Sequence, residues 1–318
     1  MAVISLVRAH PGLLVALCRH LDRAQEPVSK DTLYSRFVPG SLDTGPETAP
    51  ALTFQNTLDF GQRIDVLAGT TKGIGVSEPH RGDWRDNDDV AIQGLLLDRL
   101  LDEALAGSDP FDADQDAPTA DFARLATWLV RVDPTGPFVT FKPSAQGHPR
   151  KLMDGMGGNP DWVPRDQAGW DAFSRWAVAL GLARERPTVQ RVDQSLGLVP
   201  DVYRVVRDRI IRGLTSRVET LEALLQRLGE SVPLLSTGRL DLAWNRYLSV
   251  NPEREVFSAL SFALVRLAQE GVVDLVGAGD GVPYTLRFGR YADVPSPFGR
   301  RSAEVRPISN VRIFEEAT

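Results

Sequence analysis

Residues 53–78 read T-F-Q-N-T-L-D-F-G-Q-R-I-D-V-L-A-G-T-T-K-G-I-G-V-S-E, and no other stretch constrains the fold as much. Its apolar period changes from helical to alternating within a few residues, so a short amphipathic helix must run almost directly into a hairpin. Phe54, Leu58 and Gly61 fall on one helical face, with Gln55, Asn56 and Asp59 on the other. Ile64 and Val66, then Ile74 and Val76, alternate around Gly69-Thr70-Thr71-Lys72-Gly73, a turn composition that suits a short hairpin.

Two further helices are expected upstream. Pro11 sits at a favourable first helical position, and Leu13, Leu14, Leu17 and Leu21 recur at helical spacing. Ser29 is an N-cap for a second helix carrying Leu33 and Phe37, which Pro39-Gly40 stops. The order helix, helix, helix, hairpin is that of a winged-helix unit, here expected over residues 1–80.

A middle region, 81–200, is expected to be helical. It has leucine-rich helices over Val90–Ala106 and Phe122–Val132, an acidic linker at 107–120, a Gly- and Pro-rich loop over 138–165, and a helix holding Trp170, Phe173 and Trp176. A second winged-helix-like domain is expected over 201–318. It would open with a capping box, Ser216-x-x-Glu219, whose helix carries Val218, Leu221, Leu225 and Leu228. An element over Leu240–Leu248 and a long helix over Glu253–Glu270 follow. A hairpin then pairs Val272–Val276 with Tyr284–Phe288 across G-A-G-D-G. The fold class is therefore mainly α with small β-hairpins, with winged-helix domains at the N- and C-termini joined by a helical middle region.

Composition narrows function by exclusion. No apolar run approaches the roughly 20 residues of a membrane helix, and the first ten residues lack a basic n-region and a small-residue cleavage pattern, so a cytoplasmic protein without membrane contact is expected. The single cysteine, Cys18, lies on the apolar face of the first helix and reads as a small core hydrophobe. The net charge of −6 argues against a chain whose whole surface coats nucleic acid. Between Pro79 and Val199 acidic residues exceed basic ones by about six, whereas the flanking thirds are nearly neutral.

The search for catalytic patterns is negative. There is no G-x-x-x-x-G-K-[ST] loop, H-E-x-x-H helix, G-x-S-x-G elbow or Cys/His zinc pattern, and His10, His20, His80 and His148 are scattered. No catalytic, cofactor-binding or metal residue is assigned, and no cofactor is expected. Asp83, Asp86, Asp88 and Asp89 read as a solvated acidic linker, and Met153–Gly158 as a connecting loop. An enzyme working through the acidic loops around Asp83 and Asp154 is a third reading.

Recognition helices offer polar side chains to base edges while wings take phosphate. The residues so placed are Thr53, Gln55, Asn56, Arg63 and Lys72, with Asp59 and Asp65 opposing phosphate on the same elements. Near the C-terminus, Phe257, Phe262 and Val265 belong to a helix apolar nearly all round, which predicts burial on more than one side and a protein-docking face. Arg287, Arg290, Arg300, Arg301 and Arg306 add a basic stretch that suits either phosphate or a charged strand edge.

The segments L-V-A-L-C-R-H-L, F-V-P-G-S-L, D-F-G-Q-R-I-D-V-L, W-D-A-F-S-R-W-A-V-A-L-G-L and F-S-A-L-S-F-A-L-V-R-L-A-Q-E-G-V-V-D-L, in this order, resemble the DpdG family. That family is encoded with bacterial systems that insert 7-deazaguanine bases into DNA and restrict unmodified DNA. The resemblance implies an accessory, restriction-side component of a phage-defence complex, working with helicase- or nuclease-like partners, and it supplies no catalytic residues. The resulting expectation is a non-enzymatic DNA-binding or adaptor subunit that contacts protein partners and double-stranded DNA. The alternative is a stand-alone winged-helix transcription regulator, which should dimerise on a palindromic site.

Overall fold

The computed structural model describes residues 9–24, 26–41, 48–86, 88–106, 109–111, 118–135, 139, 164, 166–186, 197–213, 217–249, 255–277, 284–286 and 308–314. Most of the acidic linker at 107–120, the Met153–Gly158 loop, Gly279–Gly281 and the arginines at 287, 290, 300, 301 and 306 lie outside these residues. The described chain is mainly helical, with small sheets of two or three strands. Among the described residues no helix is long and apolar enough to cross a membrane.

In the first region α1 (Pro11–Ala24) buries Leu14, Leu17, Cys18 and Leu21. Full burial pushes the Cys18 thiol pKa well up, so it packs as a neutral hydrophobe. Ser29 Oγ accepts Thr32 N–H at 3.2 Å and caps α2 (Lys30–Phe37). α3 (Ala49–Arg63) follows, with Pro50 in its first turn. Strands β1 (Leu67–Thr70) and β2 (Gly73–Val76) then form the antiparallel hairpin. Ile64 and Val66 are not strand residues, because α3 closes through a tight turn there.

A 3-10 turn (Glu78–His80) and a short α4 (Asp83–Asp86) lead to α5 (Asp89–Leu105), capped by Asp88, and α6 (Pro118–Leu129). Asp166 caps α7 (Gln167–Ala179), which is followed by an antiparallel hairpin of β3 (Ala183–Arg186) and β4 (Gly197–Pro200). The middle, read from sequence as helical, thus also carries strands. Periodicity missed them because each is four residues long, and β3 has the charged composition A-R-E-R.

The last region runs α8 (Tyr203–Arg212), β5 (Arg217–Thr220), α9 (Leu221–Ser231), α10 (Arg239–Tyr247), β6 (Glu255–Val256), α11 (Ser258–Gln269), β7 (Val273–Gly277), β8 (Thr285–Leu286) and β9 (Ile308–Ile313). Here three expectations are corrected. Glu219 is in a strand, and the N-cap is Thr220, whose Oγ1 accepts Ala223 N–H at 3.1 Å. Val218, expected on a helix face, is 64% exposed on β5. The long helix begins at Ser258, not Glu253, because Glu255 and Val256 pair in parallel with Thr285 and Leu286. Finally β7, expected to pair with Tyr284–Phe288, pairs with β9, giving an antiparallel sheet of order β5-β9-β7, while Thr285 and Leu286 pair with β6.

One local architecture recurs three times. α3, α7 and α11 each end at a residue with positive φ: Asp65 (55°), Gly181 (71°) and Gly271 (75°). The next residue in each case, Val66, Leu182 or Val272, donates its N–H to the carbonyl five positions back, on Gly61, Ala177 or Leu267, at 2.9–3.0 Å. This is the left-handed helix stop that satisfies the terminal carbonyls. The carbonyls of those same three residues then accept N–H from Ser77, Asp201 and Phe314, at the end of each returning strand. The register matches as well: Leu67 faces Val76, Ala183 faces Pro200 and Val273 faces Ile313. Two residues before the last partner, each returning strand also pairs with an earlier segment, through Val28–Ile74, Val139–Leu198 and Glu219–Val311. In each of the three, the returning strand therefore lies between the outgoing strand and an earlier segment, a single bridge residue in the first two and β5 in the last.

Trp176, fully buried, joins the first and second of these regions. Its Nε1 donates to Ala9 O at 3.2 Å and its ring meets that of Phe60 at 4.9 Å. Arg–Asp pairs join α5, α6 and their linker to the last region: Arg209 with Asp98, Arg131 with Asp241, and Arg246 with Asp109 at 3.0 Å. Burial raises the carboxyl pKa of Asp98 and Asp241 against the opposing pull of their arginines.

Candidate nucleic-acid interface

The amphipathic spacing that buries Phe54, Leu58 and Gly61 leaves Gln55, Asn56, Asp59 and Arg63 along the opposite side of α3. Thr53 is half-buried and its carbonyl accepts Thr57 Oγ1–H at 2.7 Å. Gln55 donates its amide to Asp59, and Asn56 donates to Leu52 O, so both amides are ordered along the helix and each keeps further donor and acceptor capacity. Arg63 is exposed in the last turn. Lys72 is exposed at the hairpin turn, where Thr70 Oγ1 accepts its backbone N–H at 3.2 Å and donates to Gly73 O at 3.1 Å. Gly73 (φ 147°) is required there, since a Cβ would stand 2.4 Å from Val28 O, the strand partner of Ile74.

Of the two carboxylates expected to oppose phosphate, Asp65 is paired with Arg99 of α5 at 2.9 Å, whose Nε also donates to Ile64 O. Its charge is matched. Asp59 remains exposed and is engaged by Gln55 alone among the described residues. Arg63 and Lys72 form no ion pair with the described chain. Elsewhere Arg124 pairs with Asp121 at 2.8 Å, Arg227 with Glu219, and Arg209, Arg131 and Arg246 with the aspartates named above, whereas Arg204, Arg239 and Arg312, like Arg63, form no ion pair with the described chain.

The residues expected to dock protein are placed differently. Val265 is buried, because α11 packs against α8 and β7. Phe257 is the N-cap position of α11, half-buried against the core, and Phe262 is half-buried as well. The greatest apolar exposure of this region is at Val218 on β5, ahead of Leu242 on α10 and Phe314 just past β9. Sequence reading missed it because Val218 was placed in a helix. Among the described residues no group of three or more His, Cys, Asp or Glu is arranged to hold a metal ion.

No curated protein and no solved structure matches this chain. The family model described as DpdG-like matches residues 1–280, which takes in all three recurrences of the helix stop and ends before β9. The chain belongs to the DpdG-like family, and is thereby associated with the 7-deazaguanine DNA modification systems.

Proposed function

We propose that this protein is a non-catalytic, DNA-contacting adaptor of a 7-deazaguanine modification and restriction assembly, built from three winged-helix units, and that its first unit meets the duplex. The recurrence supports the unit assignment. Each copy has a helix before an early bridging segment, a later helix ending in the same stop, and a returning strand that pairs on one side with the outgoing strand and on the other with that early segment. The observation that carries the DNA reading is electrostatic. In a chain of net charge −6, Arg63 and Lys72 stand on α3 and its hairpin without carboxylate partners among the described residues, beside the amides of Gln55 and Asn56. Amides of this kind pair with adenine edges in a major groove, and the two cations are placed for backbone phosphate.

The test is duplex binding across a salt series, comparing the wild-type chain with Arg63→Glu plus Lys72→Glu. Binding that weakens with salt and falls at least tenfold in the double variant is expected. Equal binding by the two proteins, or none by the wild type at low salt, would overturn DNA contact through this unit. A symmetric dimer that binds one palindromic site with high affinity would replace the adaptor by a stand-alone regulator.

A further inference from the structure

The C-terminal ends of α1 and α2 bring three basic side chains together, none of them on the α3 face. Arg36 Nη1 lies 2.8 Å from His20 Nε2, and the His20 ring stands edge-on to Phe37 with centroids 5.6 Å apart. Arg23 is one turn beyond His20 on α1. A guanidinium only donates, so Nε2 accepts and the neutral ring carries its proton on Nδ1. Burial, then Arg36, then Arg23 hold the His20 pKa below its ordinary value.

No carboxylate of the described chain is ion-paired with Arg23 or Arg36. Arg19, on the same helix, is turned to Asp89 at 2.7 Å, and Asp22 is buried, accepting Gly82 N–H at 2.8 Å. A helix C-terminus favours a nearby cation. It does not explain a guanidinium held on an imidazole with a second guanidinium alongside. Two forked donors flanking a polar ring match the oxygens of a phosphate group.

We infer that His20, Arg23 and Arg36 form a phosphate-binding site that takes a backbone phosphate of nucleic acid, as a contact separate from α3 and the hairpin. This rests on the reading of the first unit as the DNA-contacting one. A bound phosphate brings negative charge to the three basic side chains and converts His20 from acceptor to donor.

The test follows the His20 ring signals by NMR in the full chain, titrated separately with inorganic phosphate and with a short DNA duplex. The expected result is a saturable His20 shift with each, abolished in Arg36→Gln and reduced in Arg23→Gln. Each variant should also lower duplex affinity several-fold and reduce the salt slope by about one. A shift with inorganic phosphate but none with duplex would overturn the nucleic-acid assignment in favour of a free anion. No shift with either would overturn the site. If Arg63→Glu plus Lys72→Glu leaves duplex binding intact while Arg36→Gln weakens it, the α3 reading fails and this one stands.

Discussion

The first and last regions share a strand register and a helix stop, yet they treat the helix that leads into that stop differently. Aligned on that stop, Gln55, Asn56, Asp59 and Arg63 of α3 correspond to Ser261, Phe262, Val265 and Gln269 of α11. The first set is half-exposed or exposed, whereas Ser261 and Val265 are buried. In the middle region the same positions are Asp171, Ala172, Arg175 and Ala179, of which Ala172 is fully buried. The difference teaches that this architecture is a scaffold with no fixed use. The residue types on one helical stripe decide whether that stripe meets solvent or neighbouring chain.

A charge placed at corresponding positions should separate the two regions most sharply. Val265→Lys puts an ammonium into a packed site and is expected to cost more than about 3 kcal/mol or to prevent folding, read by urea denaturation. At the equivalent exposed position, Asp59→Lys should change stability by less than about 0.5 kcal/mol and tighten duplex binding several-fold, read by fluorescence anisotropy. If Asp59→Lys leaves affinity unchanged, the open face is not the DNA contact.

The ion pairs around the last region offer a second contrast, in pH dependence. Asp98 and Asp241 have carboxyl pKa values raised by burial, so the folded state holds their protons to higher pH than the unfolded chain does. Their contribution to stability therefore falls as pH rises from the ordinary carboxylate range through the raised values. Asp241→Asn should flatten that part of the stability profile, and an unchanged slope would show that Asp241 does not control it.

The smallest effect belongs to the shared stop. Gly271 has φ 75° with open space around its missing Cβ, whereas the first region uses Asp65 at φ 55°. Gly271→Ala should cost about 1 kcal/mol, and Gly271→Asp less, because aspartate tolerates the left-handed region better than alanine. Equal losses would mean that the two stops are not interchangeable.

Much of the first region was legible in its sequence. Ser29, Pro11 and the leucine spacing mark α1 and α2, and Gly69 to Gly73 mark the hairpin. The four-residue strands of the middle were not legible, since a strand that short carries too few alternations to outweigh its charged residues. Nor was β9, whose partners lie about 35 and 95 residues away in sequence, beyond the reach of local patterning. Of the candidate site, the identities of Gln55, Asn56, Arg63 and Lys72 came from α3 spacing and hairpin composition. The neutralisation of Asp65 by Arg99 and the meeting of His20 with Arg36 did not, because each joins separate elements.

Taken alone, then, the amino-acid order determined the mainly helical class, the caps and the polar stripe on α3, all of which follow from interactions within a few residues. Tertiary structure decided that α11 buries Ser261 and Val265 of the corresponding stripe, that β9 completes the last sheet and which cations keep no carboxylate partner among the described residues. Those outcomes depend on long-range packing and ion pairing, whose energies are set by neighbours that local sequence does not name.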